Sequence, residues 1–431
     1  MRIPKKIGPL RGTVSLPGDK SIAHRALIHG ALAMGDSRIS HLPGSLDISS
    51  TFKVLQALHV PINLKPNFEA EITGCGGDFS VPLKPLDCGN SGTTMRLMMG
   101  VLAGCPFESI LTGDESLSRR PMERVAEPLR MMGAKVGTED GSPPVTIEGK
   151  FPLKPITYEL PTTSAQVKSA LIYAAAFADG ESKIIEPIPS RDHTEIFLEI
   201  MCPENYQRAS SIDYIEHSIR GPMEFPPFSV EIPGDPSSAA YLVALVLLIP
   251  DSEITITGLL LNPRRIRYLE IFKAMGGQIE ITVRGKSMGE QVGDIFVKSS
   301  SLKNVEIAGN DIPLLIDEIP LFAVIATKAE GELIVRDAKE LRYKESDRID
   351  VIARNLRSLG CKVEEFDDGL KVLGQSRIKA ARVEHFGDHR ILMSLIVLSL
   401  VHELELDLED LSPLDVSFPE FPEYIKLLST G

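Results

Sequence analysis

Cysteine is scarce in this 431-residue sequence: Cys75, Cys88, Cys105, Cys202 and Cys361 are the full set. The number is odd and no pair is spaced CxxC, so neither a disulfide framework nor a zinc knuckle is expected, and a reducing compartment is. No HExxH and no convergent Cys/His set is present, so no metal site is expected. A P-loop GxxxxGK[ST] and a GxSxG nucleophile elbow are both missing, which argues against ATP binding and against a serine hydrolase. Long apolar runs are missing too. Residues 239–249 and 391–401 are the longest, and they fall short of the ~18 residues that cross a bilayer. Excess positive charge is absent: 46 Lys and Arg face 59 Asp and Glu, a net charge of −13. That disfavours a nucleic-acid binder, which needs positive charge along a groove. The opening MRIPKKIGPLRG carries no apolar h-region, so no signal peptide is expected, and a cytoplasmic protein without a membrane anchor is.

What the sequence does contain is a repeat. Six times a polar, capping-type residue precedes a small-and-apolar run and a turn signal. The openers are Asp19, Asn90, Ser164, Asp235, Asp317 and Asp388, spaced 71, 74, 71, 82 and 71 residues apart. Asp, Asn and Ser cap helices by accepting the free N–H groups of the first turn. Runs such as AHRALIHGALAMG and RILMSLIVLSLV are apolar nearly all round, which predicts buried helices. Gly35, Gly104, Gly180 and Gly331 are expected to close four of them from the left-handed region. A second, amphipathic helix follows in most repeats, at 122–133, 266–277 and 349–360. β-Branched stretches (SRIS, PVTIEG, SEITITG, QIEITV, ELIVRD) flank the helices and predict strands. After Met201, CPENYQRASS reads as an irregular break in the third repeat, and the sixth repeat stops early.

LPGDKSIAHRALIHGAL (16–32) aligns with IPGDPSSAAYLVALVLL (232–248). A match at half-length implies a duplicated domain. The fold class expected is therefore α/β, with two similar domains of three repeats each and buried central helices.

Six helix N-termini beside basic residues suggest anion binding, since free amides and the helix dipole favour negative charge. Each instance alone is most often only a cap. Their joint recurrence in an acidic chain is more telling. Lys20, Ser21 and Arg25 fall in the first turns of repeat one. Asn90, Gly92 and Arg96 open repeat two, followed by Arg119 and Arg120. Ser164, Gln166 and Lys168 open repeat three, with Arg191 beyond. Asp317, Lys344, Glu345 and Arg348 belong to repeat five, and Arg390 to repeat six. Asp317 and Glu345 read either as an acid/base pair or as a cap and a charge-cluster partner.

At these residues the sequence resembles the 5-enolpyruvylshikimate-3-phosphate synthase family, over essentially the whole chain. The carrying motifs are LPGDKSIAHRALIHGALAMG, LDCGNSGTTMRL, GDESLSRRPMERVAEPLRMMGA, SAQVKSALIYAA, SRDHTE, PGDPSSAA, IDEIPLFAVIA, ELRYKESDRI and GDHRI. The resemblance implies two domains of three βαβαββ-type repeats, an inverse α/β barrel architecture shared by enolpyruvyl transferases. It places one domain at 20–233, carrying most of the shikimate 3-phosphate site. The other, 1–19 plus 234–431, carries Asp317, Glu345 and part of the phosphoenolpyruvate site, with the active site in the cleft between the domains. The implied activity is enolpyruvyl transfer from phosphoenolpyruvate to the 5-hydroxyl of shikimate 3-phosphate, by addition and elimination through a tetrahedral intermediate, in chorismate and aromatic amino-acid biosynthesis.

By the same resemblance, Lys20 is catalytic with Asp317 and Glu345 and touches both substrates. Ser21, Arg25, Ser164, Gln166, Arg191, Asp317 and Lys344 bind shikimate 3-phosphate. Gly92, Arg120, Gln166, Arg348 and Arg390 line the phosphoenolpyruvate site. Asp317 accepts the 5-hydroxyl proton, and Glu345 exchanges a proton with the methylene carbon. No cofactor, no metal and no macromolecular partner is implied, and a monomer is expected. Gly92 implies access for glyphosate in competition with phosphoenolpyruvate. The sequence departs from the pattern at Ala165, where some members have Ser, and at Asp415–Val416, where some have Lys. The alternatives are an enolpyruvyl transferase acting on UDP-N-acetylglucosamine, disfavoured because SLSRRPM offers Arg120 and no Cys, and a non-catalytic phosphometabolite-binding relative.

Overall fold

The computed structural model describes residues 6–408 and 410–430, so the first five residues of the basic N-terminal stretch lie outside it. The expected buried helices form at Lys20–Leu32, Gly92–Ala103, Ala165–Ala175, Pro236–Leu248, Ile319–Ala326 and His389–Val401. Their all-round apolar composition is matched by burial: every residue from His389 to Val401 is buried. Asp19, Ser164, Asp235 and Asp388 cap as expected, each accepting a first-turn amide. Two openers differ. The second helix is capped by Ser91, not Asn90, through Thr94 N at 3.1 Å. At the fifth, Glu318 holds the cap position without a side-chain cap bond, and Pro320 in the first turn removes one amide that would need one. Asp317 is thereby left available for other partners.

The glycine expectation also needs correction. Gly104 is a C-cap but right-handed (φ −84°), and Gly35 and Gly180 lie within strands. Gly35, Gly180 (φ 132° each) and Gly331 (φ 85°) do take positive φ, but they lie three to five residues past their helix ends, at the next strand, and not at the cap. The helices stop instead where their apolar runs meet the next strand.

Five repeats build a four-stranded sheet of one topology. In repeat two, Leu86–Asp87 pairs parallel with Glu108–Thr112 across the buried helix. Ser142–Glu148 then adds antiparallel, and Lys135–Glu139 pairs with its far side. The order βαβαββ recurs in repeat three, where Tyr206–Ser210 follows directly on the helix His193–Met201. CPENYQRASS is thus a tight turn into a regular strand, not a break. Among the described residues, repeat six has no sheet: one isolated bridge, Arg382 to Asp407, stands in its place. The sheets are open, and no closed barrel forms among the described residues.

The first strands of repeats one and four are exchanged. Arg11–Ser15 precedes the first buried helix but pairs with Glu253–Leu260, in register Arg11 to Glu253. Ser229–Glu231 precedes the fourth buried helix but pairs with Met34–Ser40, in register Ser229 to Arg38. The chain accordingly separates into two compact units. Unit one holds the chain up to Pro17, Pro233–Gly285 and everything from Gln291. Unit two holds Gly18–Ile232 and Lys286–Glu290.

Candidate active site

In unit two, three helix starts carry the expected anion-binding residues. Lys20 is the first residue of its helix, and its Nζ lies 2.6 Å from Asp47 Oδ2, both largely buried. Arg25, one turn on, is buried and held on three sides. Its Nε donates to Thr194 Oγ1 (2.7 Å), its Nη1 to Ser21 O (2.9 Å) and its Nη2 to Ser169 Oγ (2.9 Å). Such a fork is pre-set for a planar or tetrahedral anion.

At the second helix start, Arg120 Nη2 donates to Asn90 Oδ1 (2.9 Å) and to Ser116 Oγ (3.2 Å). Arg96 Nη1 donates to Gln166 Oε1 (2.5 Å), and Gln166 Nε2 to Thr93 Oγ1 (2.8 Å). Gly92 lies within this ring of cations. A Cβ there would meet Arg96 Nη1 at 3.0 Å and Arg120 Nη1 at 3.2 Å. At the third helix start, Ser164 Oγ accepts from Val167 N (3.3 Å) and keeps its hydroxyl proton to give. Arg191 is half-buried just before the helix His193–Met201.

Lys168, one turn beyond Ser164, has another use. It is fully buried, with Nζ 2.6 Å from Glu186 Oε1 and 2.6 Å from Glu195 Oε1. Glu186, Glu195 and His217 bring their ligand-type atoms within 4.8 Å of one another, but the Lys168 ammonium already supplies the cation. Glu186 sits at a pKa of about 2: burial opposes this, and hydrogen bonds from His217, Lys168 and Ser190, with the Lys168 charge, outweigh it.

Unit one gathers the carboxylates. Arg348, buried in the first turn of the helix Arg348–Ser358, binds three of them. Nη1 reaches Asp317 Oδ1 (3.3 Å), Nη2 reaches Glu345 Oε2 (2.7 Å), and Nε reaches Asp388 Oδ2 (2.8 Å). Burial would lower the Arg348 pKa, but Asp388, Glu345 and Asp317 together push it far up. Asp317 and Glu345, each retaining slight exposure, are thus held on one guanidinium. Lys344 adjoins Glu345, just past the short helix Lys339–Tyr343. Arg390 is buried in the first turn behind Asp388, its guanidinium 6.0 Å from the Tyr241 ring centroid. It has no ion-pair partner among the described residues, and its Nε has no hydrogen-bond partner there. Burial would lower its pKa, but Tyr241 and the nearby carboxylates Asp317, Glu318 and Asp235 push it far up, so the protein itself stabilises this buried cation.

The structure therefore groups Lys20, Ser21, Arg25, Gly92, Arg120, Ser164, Gln166 and Arg191 in unit two, and Asp317, Lys344, Glu345, Arg348 and Arg390 in unit one. Sequence reasoning missed Asp47 as the partner of Lys20, and Thr194 and Ser169 as the supports of Arg25. None carries a local signal, because each is set only by helix packing. Asp388 was legible as a cap but not as the anchor of Arg348.

Comparison with known proteins adds the following. Residues 4–425 match the family described as EPSP synthase (3-phosphoshikimate 1-carboxyvinyltransferase). The 3-phosphoshikimate 1-carboxyvinyltransferase of Thermodesulfovibrio yellowstonii is 42% identical over 436 residues, covering 99% of each chain. That of Listeria monocytogenes is 43% identical over 423 residues, covering 97% of each. Among solved structures, EPSP synthase from Acinetobacter baumannii superposes with a TM-score of 0.83 at 34% identity, covering 99% of this chain and 97% of that one. The enolpyruvyl transferase NikO from Streptomyces tendae, at 17% identity and TM-score 0.76 over 98% of this chain and 95% of that one, shares the fold.

Proposed function

The chain belongs to the EPSP synthase family, and on that footing we infer that Asp317 and Glu345 carry the proton transfers of its reaction. The activity is that of a 3-phosphoshikimate 1-carboxyvinyltransferase: the enolpyruvyl group of phosphoenolpyruvate passes to the 5-hydroxyl of shikimate 3-phosphate, and phosphate leaves. In the inferred course, Asp317 accepts the 5-hydroxyl proton as that oxygen bonds to C2 of phosphoenolpyruvate. Glu345, entering the step protonated on the oxygen that Arg348 does not bind, delivers that proton to C3, giving a tetrahedral intermediate. Glu345 then takes a proton back from C3 as the C2–O bond to phosphate breaks, and the hydroxyl proton departs with the phosphate. Carboxylates acting in this way need fixed positions. The observation that carries the assignment is the single Arg348 guanidinium bonded to both Asp317 and Glu345.

Both substrates are polyanions, so the remaining cations have a physical purpose. Lys20, Ser21, Arg25, Ser164, Gln166, Arg191, Asp317 and Lys344 are assigned to shikimate 3-phosphate. Lys20, Gly92, Arg120, Gln166, Arg348 and Arg390 are assigned to phosphoenolpyruvate. Arg390 supports this: its Nε has no hydrogen-bond partner among the described residues, so it has a donor left for a substrate anion. Ala165 supplies one hydroxyl fewer than a Ser would. A monomer in the cytoplasm belongs to the same reading, and no described helix is long and apolar enough to cross a membrane.

The test is phosphate release from phosphoenolpyruvate with and without shikimate 3-phosphate, beside UDP-N-acetylglucosamine as competing acceptor. Release is expected only with shikimate 3-phosphate. Asp317→Asn and Glu345→Gln should each lower kcat by roughly 10²–10⁴ with little change in melting temperature. Retained turnover in either variant would remove that residue from the chemistry.

A further inference from the structure

A buried chain of four side chains in unit two joins the start of the first buried helix to the start of the second. His24 Nδ1 lies 2.7 Å from Thr51 Oγ1, and Thr51 Oγ1 lies 2.7 Å from Thr94 Oγ1. Thr94 Oγ1 donates to Ser91 Oγ at 2.8 Å, and Ser91 Oγ also accepts from Thr94 N at 3.1 Å. His24, Thr51 and Thr94 are fully buried, and Ser91 nearly so.

Proton counting fixes the direction of every link. A threonine hydroxyl has one proton to give. Thr94 gives its proton to Ser91, so in the Thr51–Thr94 contact Thr51 must be the donor. The only proton of Thr51 is then spent, so it must accept from His24. His24 therefore carries its proton on Nδ1. Its Nε2 is left as a lone pair, buried without a hydrogen-bond partner among the described residues. A second ring proton would put a third cation beside Lys20 and Arg25. Burial first, and those two charges next, hold the His24 pKa well below its usual value.

We propose that His24, Thr51 and Thr94 are positioning residues for the transfer reaction: a one-way hydrogen-bond chain, with His24 as the neutral Nδ1–H tautomer, that sets the helix bearing Lys20 and Arg25 against the helix start bearing Gly92. The proposal rests on the assignment of those residues to the two substrates. Thr51 lies on a third helix, Leu46–Ala57, whose Asp47 holds Lys20, so one short element aligns both helix starts. A chain in which His24, Thr51 and Thr94 each have their proton committed has a single low-energy arrangement of those links, which suits a site that must hold two anions in fixed relation.

The experiment pairs a spectrum with kinetics. Long-range ¹H–¹⁵N correlation on histidine-labelled protein without substrates, with His24 assigned by loss of its signal in His24→Asn, should show the neutral Nδ1–H tautomer. Thr51→Ser keeps the hydroxyl and should stay within about twofold of the parent. Thr51→Val removes it at nearly constant volume. It should raise KM for phosphoenolpyruvate roughly five- to tenfold, with a smaller change in kcat, and should release the His24 tautomer. A wild-type His24 in the Nε2–H form would overturn the proposal, as would Val and Ser variants with equal kinetics. The tautomer is read without turnover, so an inactive wild type would overturn the functional reading and the positioning role while the hydrogen-bond chain still stood on its spectrum.

Discussion

At the residue scale the clearest contrast is between Gly92 and its neighbours. The Gly92 backbone is compatible with any residue, so its lack of a side chain matters only for space. The atoms a Cβ would meet are the far ends of Arg96 and Arg120, at 3.0 and 3.2 Å. Both are long side chains that can yield by a few tenths of an ångström, so Gly92→Ala should fold normally. What it changes is the room between Arg96 and Arg120, the second of which is assigned to phosphoenolpyruvate. A ligand that fills this space tightly should suffer more than a smaller one, and a misplaced methyl group costs roughly tenfold or more in binding. Gly92→Ala is expected to raise the inhibition constant for glyphosate by at least that factor and KM for phosphoenolpyruvate by less. Inhibition titrations at fixed phosphoenolpyruvate check it, and equal shifts in both constants would count against the crowding argument. Gly92 was legible in the sequence because GNSGTT is local. The closeness of Arg120 was not, because it arrives from a different stretch of chain, whereas Arg96 lies one turn on along the same helix.

At the element scale, apolar runs behind polar caps identified the buried helices, but what lies between them was not readable. His29 shows why. In the sequence it is one polar residue on an apolar run. In the structure its ring stacks on Phe197 of the helix His193–Met201, with centroids 4.6 Å apart and planes 7° apart, and lies near Tyr173 and Phe225. Burial, and then the charge of Arg25, lower its pKa to about 3. An unfolded chain would protonate this histidine near pH 6.5, while the folded chain resists until about pH 3. Across that window the unfolded state binds the extra proton, so stability falls as pH falls, by about 1.4 kcal/mol per pH unit. His29→Phe keeps the stack and removes the titration. Between pH 7 and pH 5 the variant should lose about 2 kcal/mol less stability than the parent. Urea unfolding at pH 5, 6 and 7 measures this, and parallel pH dependences would show that His29 is not the group responsible. His24, also depressed, adds to the same slope in both proteins.

At the scale of the whole molecule, the spacing of the openers exposed six repeats because each buried helix must start anew from a polar cap. It could not reveal that repeat six forgoes its sheet, since strand pairing depends on partners far away in sequence. The two PGD copies look equivalent in the sequence, and both mark a passage of the chain between units. Their surroundings are not equivalent. A Cβ on Gly18 would come within 2.0 Å of His41 O and 2.8 Å of Ile232 Cγ2. That carbonyl cannot retreat easily: His41 is itself left-handed (φ 60°), and its Nδ1 is 2.7 Å from Ile232 O. At Gly234 the same atom would make ordinary contacts, 3.4 Å to Gly258 O and 3.4 Å to Leu16 O, at a φ that alanine accepts. Gly18→Ala should therefore cost upward of about 2 kcal/mol, through displaced backbone. Gly234→Ala should be neutral or stabilise by about 0.5 kcal/mol, through a less flexible unfolded chain. Melting temperatures of the two variants decide the point. Equal losses would mean that the glycines are needed for the crossings themselves, whereas the predicted inequality would mean that only the passage beside His41 demands one.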